Sequence, residues 1–285
     1  MNHLYYKSSS HVSPTSLLIL FLITFLLGST LSVPYLFLVQ KIPLVYVNIL
    51  LPLLLGLLLG FVTTYIAKDL KVTNKYLGLA ACGIGFIGFN IVKWAIYIYN
   101  TFEYTDYPFL QTIKEIILSP QIFWKSICYI NENNFWGLIS DMPLSGPLLW
   151  LVWIGEIGLI ALPLFSMLSA RLEMPFIEQD NEWAEKCTNV AVFSSFDVKS
   201  SKSTIEAEPT ILLKEPLLPC PPIGESYVLG EIFQSKDGNE NYLLLTEYNV
   251  NSKGQYTRYK RLKYLHVSKN FVNALLYNAS YTETI

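Results

Sequence analysis

The 285-residue chain is 52% hydrophobic and only 15% charged, with a mean hydropathy of +0.37. Soluble domains carry roughly 25% charged residues, so a wholly soluble protein is excluded and an integral membrane protein is expected. A formal net charge of −2 and a pI near 6.0 leave no basic surface to neutralise a phosphate backbone, which argues against a nucleic-acid partner.

Charge is also uneven along the chain: residues 1–169 hold 8 Lys+Arg and 7 Asp+Glu, whereas residues 170–285 hold 12 and 15. Two parts built for different solvents follow. Residues 1–15 form a polar tail whose only charged side chain is Lys7. The apolar run at 16–39 is too long for a signal-peptide core, which spans roughly 7–15 residues, and is read as the first span. Gln40 to Pro43 turns the chain into a second run at 44–67. Both are long enough to cross a hydrocarbon layer of ~30 Å, which takes ~20 helical residues. Pro34 and Pro52 are expected to bend these helices. Gly56 and Gly60 form a G-x-x-x-G face that lets another helix approach closely, either inside this bundle or on a second copy.

The connection at 67–75 carries Lys68, Lys71 and Lys75 against Asp69, whereas 100–145 carries two lysines against five acids. By the positive-inside rule the lysine-rich loop is cytoplasmic. Both termini then face the cytoplasm, and Arg171 agrees. The third span, 76–99, has a stripe of small residues at Gly78, Ala81, Gly85 and Gly88 where another helix can pack, and a polar face of Asn90, Lys93 and Tyr97.

The loop at 100–145 is read as interfacial structure on the outer leaflet. Phe109, Ile113, Ile116 and Ile117, and after Pro120 Ile122, Phe123, Ile127 and Ile130, have helical spacing. Tyr97, Tyr99, Phe102, Tyr104, Tyr107 and Trp124 add rings that favour a membrane–water boundary. The fourth span, 146–168, carries Glu156 near its middle, with Trp150 and Trp153 on the same side.

Beyond it, 173–186 is read as a helix leaving the bilayer, 189–195 as a short strand, and 197–222, with five prolines in its later part, as a linker. Strand-like runs at 227–234, 242–250 and 256–267, separated by turns at 236–239 and 251–254, make a β-meander. Ser268 caps a short helix at 269–277 that brings Phe271, Leu275 and Leu276 to one sheet face. The fold class expected is thus an all-α four-helix membrane domain (16–169), a juxtamembrane segment and linker (170–222), and a small cytosolic α+β domain of β-meander and helix (223–285).

Glu156 and Lys93 are the candidate site. An ionisable side chain inside a span is costly and turns to the bundle interior. At 1.5 Å per residue their depths differ by roughly 5 Å, which a lysine can bridge, so an interhelical Lys93–Glu156 ion pair assisted by Asn90 and Tyr97 is expected. Two readings stay open: a structural clamp between the third and fourth helices, or a proton or ion relay. His3, His11 and His266 are scattered and suggest no triad. Lys260, Arg261 and Lys263 form a basic cluster, either a solvated strand face or a contact for anionic headgroups. Cys82, Cys128, Cys187 and Cys220 lie far apart and indicate no disulfide framework.

The stretch Pro175 to Trp183, which follows the glutamate-bearing span, resembles an uncharacterised family of bacterial four-span proteins with a cytosolic tail, in which P-F-x-E-x-x-x-x-W occupies this place. That resemblance implies cysteines where this chain has Ile177 and Asp180, and a second C-x-x-C at Cys220 to Ile223, of which the first cysteine alone is present. Four thiolates so arranged close a zinc site. Here the set is degenerate, so no metal and no cofactor are expected. The resemblance brings no activity with it. The reading is a non-catalytic, membrane-anchored interaction or assembly module of the bacterial inner membrane, in contact with the lipid bilayer and a cytosolic protein partner, with homo-oligomerisation left open. The alternative is a small ion-coupled transporter using Glu156 and Lys93.

Overall fold

Four apolar runs, each too long and too uniform for a soluble helix, dominate the first part of the chain. The computed structural model describes residues 4–8, 12–42, 45–102, 108–133, 137–139, 142–143, 145–187 and 191–282. His3, His11, Tyr104, Tyr107 and the start of the strand expected at 189 lie outside them. The described chain runs α1 (Pro14–Lys41), α2 (Val45–Asp69), α3 (Lys75–Thr101), α4 (Phe109–Leu118), α5 (Pro120–Glu132), β1 (Gly137–Ile139), β2 (Met142–Pro143) and α6 (Gly146–Leu172). It continues through β3 (Phe176–Ile177), β4 (Glu182–Trp183), β5 (Glu185–Lys186), β6 (Ala191–Ser194), α7 (Lys202–Ala207), a 3₁₀ turn (Pro209–Lys214), β7 (Leu217–Leu218), β8 (Tyr227–Gln234), β9 (Asn241–Val250), β10 (Tyr256–Val267) and α8 (Lys269–Thr282).

The chain divides into two units, Ser10–Glu173 and Met1–Ser9 with Met174–Ile285. In the first, the helices α1, α2, α3 and α6 are long and apolar enough to cross a membrane. Their outward faces carry bare apolar side chains such as Leu26, Phe37, Leu54, Phe61, Ile84 and Leu162. Lipid tails solvate such faces, so the helices must instead be held by close packing.

Glycine supplies that packing. α1 lies along α3, where Gly85 meets the Phe21 carbonyl and Thr24, Gly88 meets Phe25, and Gly28 receives the Phe89 ring. α2 lies along α6, where Gly56 and Gly60 rest on the backbone of Ile160, Pro163 and Leu164, and Gly78 of α3 accommodates Leu172. Both faces expected to be bare are therefore occupied from within the bundle, with Ala81 half-buried beside them. The Asn74 side chain accepts the Leu77 N–H at 3.1 Å and starts α3. Of the loop helices, α4 buries Ile113 and Ile116, and α5 buries Ile127 and Ile130. The Asn131 amide donates to the Gly146 carbonyl at 3.1 Å, tying α5 to the start of α6.

The second unit is built on an antiparallel sheet of order β10-β9-β8-β6-β7, with β5 also pairing β8. β8 and β9 pair from Tyr227↔Tyr248 to Gln234↔Asn241, and β9 and β10 from Val250↔Tyr256 to Asn241↔Val267. Gly238 and Gly254, at φ +67° and +74°, supply the left-handed turn residues between them. Leu243 and Leu245 point to a core of Phe193, Val228, Ile232, Phe271 and Leu275, whereas Tyr242 and Leu244 point to a smaller one of Ile177, Phe233 and Tyr264. A sheet covered on both faces explains why β9 reads as an unbroken apolar run. Ser268 accepts the Phe271 N–H at 3.3 Å and starts α8, which continues to Thr282.

Three expectations from the sequence need correction. Residues 174–186 are not a helix. Pro175 cannot continue α6 with a backbone N–H, and β3 and β4 form a hairpin that pairs Phe176 with Trp183, with Asn181 in the left-handed region at φ 51°. Residues 197–222 are not a linker, because Val198, Ile205 and Leu212 are buried in the larger core. Their prolines start or end short elements rather than preventing order: Pro209 opens the 3₁₀ turn, and the Pro216 carbonyl accepts the Ser194 N–H at 3.0 Å. The N-terminal segment is not a free tail either. Tyr5 bridges to Leu265 on β10, Tyr6 N–H donates to the Tyr264 carbonyl at 2.9 Å, and His266 N–H donates to Leu4 at 2.9 Å.

Candidate functional site: a buried ion pair beside an aromatic slot

α3 and α6 each bring one charge to the interior of the membrane unit. Lys93 Nζ lies 2.5 Å from Glu156 Oε1, and the two side chains are 3% and 9% exposed. The pair is completed from α1: the Tyr35 hydroxyl is within hydrogen-bonding reach of Glu156, and its ring lies 5.9 Å from Lys93 Nζ. On the other side the Trp94 ring lies 5.8 Å from the same nitrogen. A carboxylate answered by an ammonium and a phenol is fixed in place, and removal of one partner would leave an uncompensated charge in a low-dielectric interior.

Asn90 and Tyr97 flank the pair. The Asn90 amide donates to the Phe86 carbonyl of its own helix at 2.8 Å, while its buried Oδ1 has no partner. Tyr97 packs edge-on against Trp94 at 5.6 Å and lies next to Thr101, whose hydroxyl donates to the Tyr97 carbonyl at 2.9 Å. Tyr35 escapes a reading by periodicity, because a tyrosine near the end of an apolar run looks like a boundary anchor. Its one sequence signal is a hydroxyl placed beside Pro34 among aliphatic residues.

Trp150 and Trp153 are the indoles that precede Glu156 on α6. They join Trp94 and Trp124 in a contiguous series: Trp94–Trp153 at 4.7 Å, Trp153–Trp150 at 5.0 Å and Trp150–Trp124 at 5.7 Å. These rings border a slot of about 340 Å³ between α3, α5 and α6, on whose wall Asn90 also lies.

In the second unit the positions of the degenerate cysteine pattern are not brought together. Ile177 is buried with Phe233, at the far end of β8 from Tyr227. Cys220 and Ile223 are exposed near the other end, where the Tyr256 hydroxyl donates to the Pro222 carbonyl and accepts from Gly224 N–H, each at 2.8 Å. Six strand residues separate those ends, ~20 Å at 3.3 Å per residue. Among the described residues no group of three or more His, Cys, Asp and Glu could hold a metal ion. His266 is exposed and packs edge-on against Tyr242 at 5.7 Å. Of the basic cluster, Arg261 pairs with Glu247 at 2.5 Å and lies over Tyr259, while Lys260 and Lys263 are exposed. Near the N-terminus the Tyr5 hydroxyl donates to Glu206; burial, then that carboxylate, holds its pKa above the usual tyrosine value.

No family model matches the chain, and no curated protein or solved structure does.

Proposed function

We propose that this protein is a non-catalytic, membrane-anchored interaction module of the bacterial inner membrane, with residues 4–8 and 174–282 in the cytoplasm. The observation that carries this reading is the edge strand of the second unit. β10 ends the sheet, and its first half, Tyr256 to Lys260, is exposed. An open edge with unspent backbone donors and acceptors is a template for a strand from another polypeptide. Its exposed tyrosines and basic side chains favour a partner strand with acidic residues.

The orientation is supported by Lys68, Lys71, Lys75 and Arg171 gathering at one end of the spans. The pairing of Leu4–Tyr6 with β10 requires both segments to lie on the same side. The likeness of residues 146–183 to the uncharacterised bacterial four-span family supports the same placement. The mutual pairing of Lys93 and Glu156 favours a clamp between helices over an ion path, since each charge already has its partner.

The test has two arms on the full-length protein. Purified in mild detergent, it should retain a protein partner that is lost when Arg258 and Lys260 are both replaced by Glu, charge reversals at exposed positions of the edge. Reconstituted in liposomes, it should carry no proton flux. Recovery of the chain alone, together with proton flux abolished by Glu156→Gln, would overturn the module in favour of an ion-coupled transporter.

A further inference from the structure

β10 ends the sheet, but its two halves stand differently. Residues 256–260 are open, whereas residues 264–266 are already paired by the chain's own Leu4, Tyr5 and Tyr6. The pairing is antiparallel, with Tyr5 opposite Leu265, the Tyr6 N–H on the Tyr264 carbonyl and the His266 N–H on the Leu4 carbonyl, each bond at 2.9 Å. An extended peptide joins a sheet edge in this way, with backbone bonds giving affinity and places for alternate side chains giving selectivity.

Successive residues of a strand point to opposite faces of the sheet, so the edge takes two neighbouring tyrosines in two different places. Tyr5 packs against the larger core, and its hydroxyl donates to Glu206 of α7. Lys202, one turn earlier on α7, lies 3.7 Å from that carboxylate and 5.8 Å from the Tyr5 ring. The place for Tyr5 is thus an apolar wall with an acceptor and a cation at its rim. Tyr6 turns to the smaller core, edge-on to Tyr242 at 5.6 Å and to Tyr264 at 6.5 Å, with the Phe176 N–H within reach of its hydroxyl. Phenylalanine would fill either place and forgo the hydrogen bond. The edge therefore selects two adjacent tyrosines in an extended chain.

The resident segment is held less firmly than the strands it adjoins. Leu4 is 45% exposed and both tyrosines are half-buried, whereas β9 is buried from Asn241 to Glu247. β10 is irregular beneath the segment, since its register shifts between Lys260 and Leu262 and again before Leu265, and Tyr264 sits at φ 59°. A short pairing at a strained and partly exposed edge opens at far lower cost than the fold as a whole.

We infer that residues 264–266 of β10, with Glu206 and Lys202 on one face and Tyr242 on the other, form a sequence-selective strand-binding site. The chain's own Leu4, Tyr5 and Tyr6 hold it closed, and a strand of another polypeptide carrying the same pair of tyrosines displaces them. Displacement lengthens the open edge from 256–260 to 256–266. The inference rests on the reading of β10 as an interaction edge and adds which side chains the partner presents there and what it must displace.

The probe is a peptide of residues 1–8 with a fluorophore at its C-terminal end, and its anisotropy is read on titration with purified protein in mild detergent, without any partner. A tethered segment acts at ~mM effective concentration, so the full-length wild type should show no saturable binding of micromolar peptide. The chain lacking residues 2–8 should bind it saturably. A Tyr5→Phe peptide should bind that chain about tenfold more weakly, the value of one hydrogen bond to a carboxylate, and Glu206→Leu in the same chain should bind both peptides alike. If the shortened chain does not fold, hydrogen exchange in the wild type decides: the Tyr6 and His266 amides should exchange about 100-fold faster than those between β8 and β9. Peptide binding by the wild type as strong as by the shortened chain, none by a folded shortened chain, no loss with the Tyr5→Phe peptide, or equal protection of the two sets of amides would each overturn the site. Failure to recover a protein partner would leave these outcomes untouched, and a partner retained without peptide binding would sink this site alone.

Discussion

Gly56 lies directly against the backbone of Ile160: a Cβ on that glycine would fall 2.8 Å from the Ile160 Cα and 2.7 Å from Pro163 Cγ. α2 and α6 therefore touch main chain to main chain. Gly56→Ala should force the helices apart and lower stability by about 1–3 kcal/mol, the usual cost of overpacking. Gly83→Ala, where nothing stands within 4 Å of the added carbon, should leave stability unchanged or slightly raised. Thermal unfolding of the two variants in the same detergent makes the comparison.

Lys93 and Glu156 should behave as a unit. Removing one charge, as in Glu156→Gln or Lys93→Met, is expected to cost about 3–5 kcal/mol, because the other is left buried and unanswered. The double change Lys93→Met with Glu156→Leu should recover most of that loss. A double-mutant cycle measured by denaturant or thermal unfolding reads the coupling directly. Tyr35→Phe should cost about 1 kcal/mol, one hydrogen bond, and nothing further once Glu156 is gone.

Tyr6 holds a strained residue. Tyr264 has φ 59° inside β10, where the register shifts between Leu262 and Leu265, and the Tyr6 N–H fastens its carbonyl at 2.9 Å. A left-handed conformation costs a bulky residue of order 1–3 kcal/mol. Deleting residues 1–8 should therefore raise hydrogen exchange at the His266 amide, which loses the Leu4 carbonyl, while amides of β8 stay protected. Equal exchange with and without the segment would show that the N-terminal strand contributes nothing to the sheet.

Asp237 fastens the turn between β8 and β9. The Ser235 hydroxyl donates to it at 2.6 Å and the Asn239 N–H at 3.0 Å, and these bonds to the charged form hold its pKa below the ordinary 3.8. A depressed carboxylate pKa stabilises the fold above the unfolded value, and that contribution is lost as pH falls through the lower folded value. Asp237→Asn should thus weaken the second unit near neutral pH and approach the wild type in strong acid. Unfolding midpoints measured between pH 7 and pH 2 test the sign.

Cys220 reports orientation, since it is exposed in the second unit while Cys82 is buried in the first. With Cys128 and Cys187 replaced by Ser, a membrane-impermeant maleimide should label the protein only after cells are permeabilised. Labelling of intact cells would place the second unit outside and reverse the proposed topology.

The spans were legible in the sequence because a lipid solvent demands a long run of apolar residues, a constraint that needs no knowledge of neighbours. The meander at 227–267 was legible for a similar local reason, with Gly238 and Gly254 marking its turns. Glu156 and Lys93 stood out as charges in the wrong solvent. The linker reading of 197–222 failed because proline content reports local stiffness, whereas Val198, Ile205 and Leu212 are ordered by a core assembled from distant strands. Tyr35 could not be joined to Glu156, nor Leu4 to His266, since such pairs depend on how elements far apart in the chain come together. The slot is the clearest case. Each tryptophan is legible alone, but a cavity is what three helices fail to fill, and only their packing decides where that failure falls.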